Sequence, residues 1–221
     1  MYEAASPGYK GRCTAPLLVD KKTKKIVSNE SKDIVRMLSA VAEAQGSSSY
    51  STLRPQTLER EIDEMEKWML EKLNNGVYRC GFATSQQAYN LAAEDVKEGL
   101  HMLERQLDAV AATEIDDTGE LESYKFLLPG KMPTEVDVFL LPTVLRFDAV
   151  YAPLFRAAGG QLRIRDFPRL SRWMKACWEL EGVPETIDLA DACGSYYRQL
   201  FPLNPGGLVP TPPTPRDLGL E

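Results

Sequence analysis

Leu17-Leu18-Val19-Asp20-Lys21-Lys22-Thr23-Lys24-Lys25-Ile26-Val27 is the stretch from which the fold is read outward. Two short apolar runs flank a charged turn, which is the pattern of a β-hairpin. The lysines are then a solvated turn rather than a binding patch. Ser28-Asn29-Glu30-Ser31 follows and supplies residue types that cap helices. Ile34, Val35, Leu38, Val41 and Ala42 recur at the spacing of one helical face. The local order is strand, strand, helix, complete by about residue 45.

Past this unit the chain changes character. Residues 46–54 are small and polar and read as a connector. Leu58, Ile62, Met65, Trp68, Met69 and Leu73 then mark one face of a helix from about Pro55 to Asn74. Asn74-Asn75-Gly76 reads as a turn, because Asn and Gly tolerate positive φ. A long helix is expected from Ser85 to Ala111, with Ala88, Leu91, Ala92, Val96, Leu100, Leu103 and Leu107 inward. Residues 112–130 are mostly polar and loop-like. Thr134-Glu135-Val136-Asp137 has the form of a capping box, with the Asp137 carboxylate reaching back to Thr134. The apolar run Val138 to Val144 predicts a helix buried on most sides, with Pro142 inside it. Two further helices are expected, Leu170 to Leu180 and Asp188 to Phe201. The tail from Asn204 carries Pro205, Pro210, Pro212, Pro213 and Pro215, and should run extended along the surface before fraying.

Composition excludes several function classes. With 43% hydrophobic and 26% charged residues among 221, the chain is an ordinary globular sequence. Its net charge of −6 gives no electrostatic reason to expect nucleic acid or an anionic membrane as partner. No apolar run approaches the roughly 20 residues that span a bilayer. The opening residues have neither signal-peptide nor transit-peptide character, so a cytoplasmic protein is expected. Cys13, Cys80, Cys177 and Cys193 form no CxxC pair, which argues against a disulfide framework and against zinc; no metal is expected. The only histidine, His101, lies in a helical pattern and reads as a solvated position, so histidine-based catalysis is close to excluded.

The order strand–strand–helix, connector, helical domain resembles the second half of a thioredoxin-like domain joined to the all-α domain of a glutathione transferase. Several stretches narrow the likeness to glutathionyl-hydroquinone reductases, the xi-class and omega-like branch of that family. They are Gly11-Arg12-Cys13-Thr14-Ala15-Pro16-Leu17-Leu18, Glu30-Ser31, Asn74 through Ala83, Arg146-Phe147-Asp148-Ala149-Val150-Tyr151, Ile164-Arg165-Asp166-Phe167-Pro168, and Asn204 through Pro210. The implied fold is mostly α: a partial thioredoxin-like segment (1–45), a linker (46–54), an all-helical transferase C-terminal domain (55–203) and a Pro-rich tail (204–221).

The resemblance also implies sites. Pro16 would be cis, presenting the Ala15 backbone to the cysteine of glutathione as an added strand does. Glu30 would take the ligand ammonium and Ser31 its carboxylate at a helix start, the alternative being plain helix capping. Arg12 would help hold a glutathione carboxylate, or is simply a surface arginine. Tyr78, Tyr151 and Tyr196 would line an aromatic pocket and donate to a quinol oxygen. The alternative is partly buried structural tyrosines, and Tyr197 beside Tyr196 leaves the register open. Glutathione is the expected co-substrate, an aromatic quinol the expected partner, and a homodimer the expected assembly.

One part of the family pattern is not found in these residues. Its chemistry uses a cysteine in a Cys-Pro-Trp motif at a helix N-terminus, where the dipole favours the thiolate. No Cys-Pro-Trp occurs here. The family places that motif upstream of the segment matching Met1, so the chain is expected to be N-terminally truncated and impaired. The enzyme reading is therefore open, and a non-enzymatic binding or scaffold module is the alternative. A thiol role for Cys13 or Cys80 stays open as well.

Overall fold

The computed structural model describes residues 1–46, 52–111, 125–200 and 202–221. They form two compact units, Met1–Leu53 and Arg54–Glu221.

The first unit holds a single helical turn α1 (Tyr2–Ala5), strands β1 (Leu18–Val19) and β2 (Ile26–Ser28), and helix α2 (Ser31–Ala44). The strands pair antiparallel, Leu18 opposite Ser28 and Val19 opposite Ile26. Asp20 makes the turn: its Oδ1 accepts the N–H groups of Lys22 (2.7 Å) and Thr23 (2.9 Å). These bonds favour the charged carboxylate and hold its pKa below the usual value. Lys24 takes the left-handed conformation that closes the loop, with φ 60°.

Helix α2 departs from expectation at two points. Its N-cap is Glu30, and Ser28 Oγ accepts the Glu30 N–H at 3.1 Å. Ser31 is therefore the first helical residue and does not cap the helix. On its apolar face, Ile34 and Val35 are half-buried, whereas Leu38 (59% exposed), Val41 (54% exposed) and Ala42 face outward. Among the described residues of this unit none is buried. Ordering each residue costs about 1–2 kcal/mol of backbone entropy, and little buried apolar area offsets it here. Limited proteolysis is therefore expected to cut within residues 1–53 before any site in the helical unit. First cleavage in the helical unit would contradict this reading.

The second unit begins with a 3₁₀ turn (Gln56–Leu58) and helix α3 (Glu59–Met69), which continues through a π turn (Leu70–Asn74) into α4 (Gly76–Gly81). Ile62, Met65, Met69 and Leu73 are buried and Leu58 and Trp68 half-buried, as their spacing predicts. The turn expected at Asn74-Asn75-Gly76 is a single residue, Asn75, between the π turn and α4. Asn75 stays right-handed (φ −89°, ψ −27°), and Gly76 is small for a packing reason: a Cβ there would meet Val96 Cγ2 at 3.0 Å. The Asn74 amide is spent on α6 (Glu135–Arg146), donating to Phe139 O (3.2 Å) and accepting from Thr143 Oγ1 (3.1 Å).

Helix α5 (Gln86–Ala111) buries Ala92, Val96, Leu100, Leu103 and Leu107. Ala88 and Leu91, expected inward, are exposed, whereas Ala92 beside them is buried. His101 is exposed, edge-on to Phe167 at 5.2 Å. Residues 112–124 of the expected polar loop lie outside the described residues, but Phe126, Leu127 and Leu128 at its end are buried core.

Helix α6 starts as the capping box predicts. Asp137 Oδ2 accepts both the N–H (2.8 Å) and the hydroxyl (3.0 Å) of Thr134. Oδ1 accepts the Leu127 N–H (3.0 Å) and the Trp173 indole N–H (2.8 Å). The helix is less enclosed than its apolar run suggests, since Val138 and Pro142 are exposed. A π turn (Phe147–Tyr151), the short α7 (Ala152–Leu154), α8 (Pro168–Trp178) and α9 (Leu189–Gln199) follow. Asp188 is the N-cap of α9, accepting the Asp191 N–H at 2.8 Å, and Phe201 lies outside the described residues. The last residues pack instead of fraying: Asp217 Oδ2 accepts the Thr214 N–H and hydroxyl (2.8 and 2.7 Å), and Leu220 is buried. Among the described residues no helix is long and apolar enough to cross a membrane.

A candidate aromatic-binding site

Three tyrosines far apart in sequence meet in the helical unit. Tyr78 comes from α4, Tyr151 from the end of the π turn after α6, and Tyr196 from α9. Their hydroxyls form a triangle. Tyr151 lies 3.2 Å from Tyr78 and 3.0 Å from Tyr196, and a short hydrogen bond joins Tyr78 to Tyr196. Tyr197, the alternative in register, instead turns into the core and donates to Ala149 O at 3.3 Å. The π turn matters here, because one wider turn re-aims the side chain that ends it.

Phe155, fully buried, underlies all three rings, with centroids 5.6 Å from Tyr78, 5.5 Å from Tyr151 and 5.9 Å from Tyr196. Phe82, half exposed, stands 5.6 Å from Phe155 and extends the aromatic wall. Nothing in the sequence marked Phe155, although it lies four residues after Tyr151 and so on the same helical side. The rings are graded in access: Tyr151 is 1% exposed and Tyr78 37%. Burial is the main cause that pushes both phenols above the ordinary tyrosine value, and at Tyr151 the bonds to Tyr196 and Tyr78 add to it. Both therefore stay protonated at neutral pH and remain hydrogen-bond donors. An incoming quinol hydroxyl brings its own proton, so it can insert into the cycle, donating to one hydroxyl and accepting from the next.

Gly81 closes the platform from below. A Cβ there would meet the Phe155 ring at 2.6 Å. Gly81→Ala is expected to lower stability by about 2 kcal/mol through overpacking and to tilt Phe155 beneath the tyrosines. A thermal or urea melt checks it, and an unchanged melt would show that the ring has room to move.

The other predicted site residues lie in the first unit. Ala15-Pro16 is a cis peptide bond, as the resemblance implied. Arg12, Ala15, Glu30 and Ser31 are all exposed. Asn29, which sequence reasoning used only as a capping type, bridges this group: its Nδ2 donates to Arg12 O and Thr14 Oγ1, both at 3.3 Å. That amide sets the Arg12–Ala15 segment beside the start of α2. The Tyr2 hydroxyl donates to Thr14 O at 2.6 Å and fixes the same segment from the other side.

The cysteines offer no activated nucleophile in the helical unit. Cys80, Cys177 and Cys193 are buried, and burial pushes each thiol up, away from the thiolate. Cys13 is exposed. Among the described residues no group of three or more His, Cys, Asp or Glu side chains converges as a metal site would require.

Residues 86–176 match the family model of the glutathione S-transferase C-terminal domain. The chain is 35% identical over 209 residues to the glutathionyl-hydroquinone reductase YqjG of Escherichia coli, covering 95% of this chain and 58% of that protein. It is 38% identical over 213 residues to the glutathionyl-hydroquinone reductase PcpF of Sphingobium chlorophenolicum, covering 96% and 62%. The glutathione-bound structure of YqjG superposes with a TM-score of 0.83 over 96% of this chain and 63% of that one. Glutathione transferase Xi 1 from Trametes versicolor gives 0.82 at 35% identity, over 97% and 69%. The chain thus spans less than two thirds of the length of these curated reductases. On sequence and structure together, this chain belongs to the glutathione transferase family, in the branch of the glutathionyl-hydroquinone reductases and the xi and omega-like transferases.

Proposed function

We propose that this chain is a glutathione-dependent protein of the glutathionyl-hydroquinone reductase type, whose helical unit takes an aromatic quinol at the Tyr78–Tyr151–Tyr196 cluster and whose first unit takes glutathione through Arg12, Ala15, Glu30 and Ser31. The observation that carries the reading is the triangle of hydroxyls over Phe155. A hydroquinone ring packs against aromatic walls, and its oxygen receives a hydrogen bond from neutral phenols. The exposed Glu30 and Ser31 at the start of α2 suit the ammonium and carboxylate of a γ-glutamyl group.

The reaction of this type is a deglutathionylation. A thiolate attacks the glutathionyl sulfur, the aryl carbon–sulfur bond breaks, and the ring carbon takes a proton to give hydroquinone. The resulting mixed disulfide is cleared by a second glutathione, which leaves as the oxidised dimer and restores the thiolate. The thiolate is the element these 221 residues do not offer in its family form, and the three buried thiols are disfavoured as substitutes. Binding without turnover is the expectation for this polypeptide. The same observation favours the second reading, a non-enzymatic binding module.

Calorimetric titration with glutathionyl-hydroquinone, followed by an assay of hydroquinone release with added glutathione, tests both parts. Saturable binding without release above background is expected. Absence of saturable binding would contradict the site, and release above background would contradict the impairment.

A further inference from the structure

A cavity of about 310 Å³ opens within the helical unit. One face of α6 lines it (Val138, Leu141, Leu145), together with Cys177 at the end of α8 and Leu189 and Ala192 on α9. This explains why Val138 stands exposed in an apolar helix. The volume lies at the small end of ligand sites, enough for a ring substituent or a small aromatic. Its place relative to the tyrosines follows from two helices. Ala192 precedes Tyr196 by one helical turn on the same face of α9. Arg146, also lining the cavity, is the last residue of α6 before the π turn that ends in Tyr151.

Arg146 is the unusual group there. It is half-buried, and among the described residues its guanidinium makes no ion pair. The two carboxylates in the cavity wall are otherwise engaged. Asp137 accepts four donors, and Asp188 caps α9 through the Asp191 N–H. While burial raises the Tyr78 phenol, the Arg146 charge acts on it in the opposite direction, which puts the guanidinium within electrostatic reach of the cluster. A half-buried guanidinium beside an apolar cavity, with no carboxylate of its own, presents five donors in a planar fork to whatever enters.

We propose that Arg146 and this cavity form a specificity element that selects aromatic quinols carrying an acidic substituent, with the ring at the tyrosines and the carboxylate on the guanidinium. The inference rests on the reading of the tyrosine cluster as the aromatic pocket. A carboxylate held by Arg in a partly desolvated site gains a charge-assisted, often bidentate, pair. An ester of the same shape gains neither the charge nor the second bond.

Calorimetric titration of the whole chain with gentisate and with its methyl ester, in the absence of glutathione, tests this. Gentisate is expected to bind about tenfold more tightly than the ester, as a charge-assisted hydrogen bond implies. Arg146→Met should abolish that preference by weakening gentisate more than the ester, and Arg146→Lys should keep part of it. Ala192→Phe, which narrows the cavity, should weaken gentisate more than hydroquinone. Equal binding of gentisate and ester by the unaltered chain would overturn the proposal, whatever the variants do. A preference that survives Arg146→Met would also overturn it. Failure of the deglutathionylation reading would appear separately, as absent binding of glutathionyl-hydroquinone with the gentisate preference intact.

Discussion

Replacing Asp137 with alanine is expected to cost the helical unit about 4 kcal/mol, because it leaves several buried donors without an acceptor. The carboxylate is 1% exposed and takes four hydrogen bonds, from the N–H and hydroxyl of Thr134, the N–H of Leu127 and the indole of Trp173. These donors come from three places: the cap of α6, the buried run Phe126-Leu127-Leu128, and α8. Burial pushes the carboxyl up, and those four donors pull it back toward the charged form. Removing it strands partners in all three places at once. Asp137→Asn should cost less, about 2 kcal/mol, since one oxygen keeps its role while the new NH₂ meets donors. Urea unfolding followed by tryptophan fluorescence measures both. A loss below about 1 kcal/mol for the alanine variant would mean that water replaces the carboxylate.

Tyr151→Phe and Tyr196→Phe are each expected to weaken glutathionyl-hydroquinone binding about tenfold, near 1.4 kcal/mol, the scale of one hydrogen bond. Their effects should not add. The hydroxyls touch one another as well as the ligand, so each deletion already breaks the cycle, and residues in one network couple by about 0.5–3 kcal/mol. The double variant should therefore lose less than a hundredfold. Tyr197→Phe is the control, since that hydroxyl points to Ala149 O in the core. Additive losses, or an equal loss in the control, would mean that the cluster is packing rather than a binding site.

What could be read from the sequence was local. The hairpin follows from two apolar runs around Asp20, and its turn is made by that residue's own backbone neighbours. The Thr134–Asp137 box was legible for the same reason, since a cap involves residues three apart. Misreadings occurred where packing between distant segments decides. Asn75-Gly76 makes a turn without the positive φ its residues allow: Asn75 stays right-handed, and Gly76 is small against Val96. Leu38 and Val41 sit on a regular apolar face, but periodicity cannot say what covers it. The π turn after Arg146 leaves no sequence signal, and it is the element that brings Tyr151 to Tyr78 and Tyr196.

The candidate site was legible only through resemblance. A tyrosine every few dozen residues is unremarkable, and no spacing rule links positions 78, 151 and 196. Family likeness placed them together, whereas Phe155 and Gly81 became visible only in three dimensions. Arg146 reads from sequence as a basic residue in the last turn of a helix, a position usually explained by the helix dipole. That it has no acidic partner among the described residues is a property of the fold.

The central claim is that the tyrosine triangle receives an aromatic quinol, and tyrosine-selective NMR tests it most directly. With tyrosine rings labelled and resonances assigned through the single Tyr→Phe variants, hydroquinone is titrated into the whole chain. The account predicts saturable shifts at Tyr78, Tyr151 and Tyr196, with Tyr2 and Tyr9 unmoved. Unmoved resonances for the three, or shifts confined to Tyr2 and Tyr9, would contradict it.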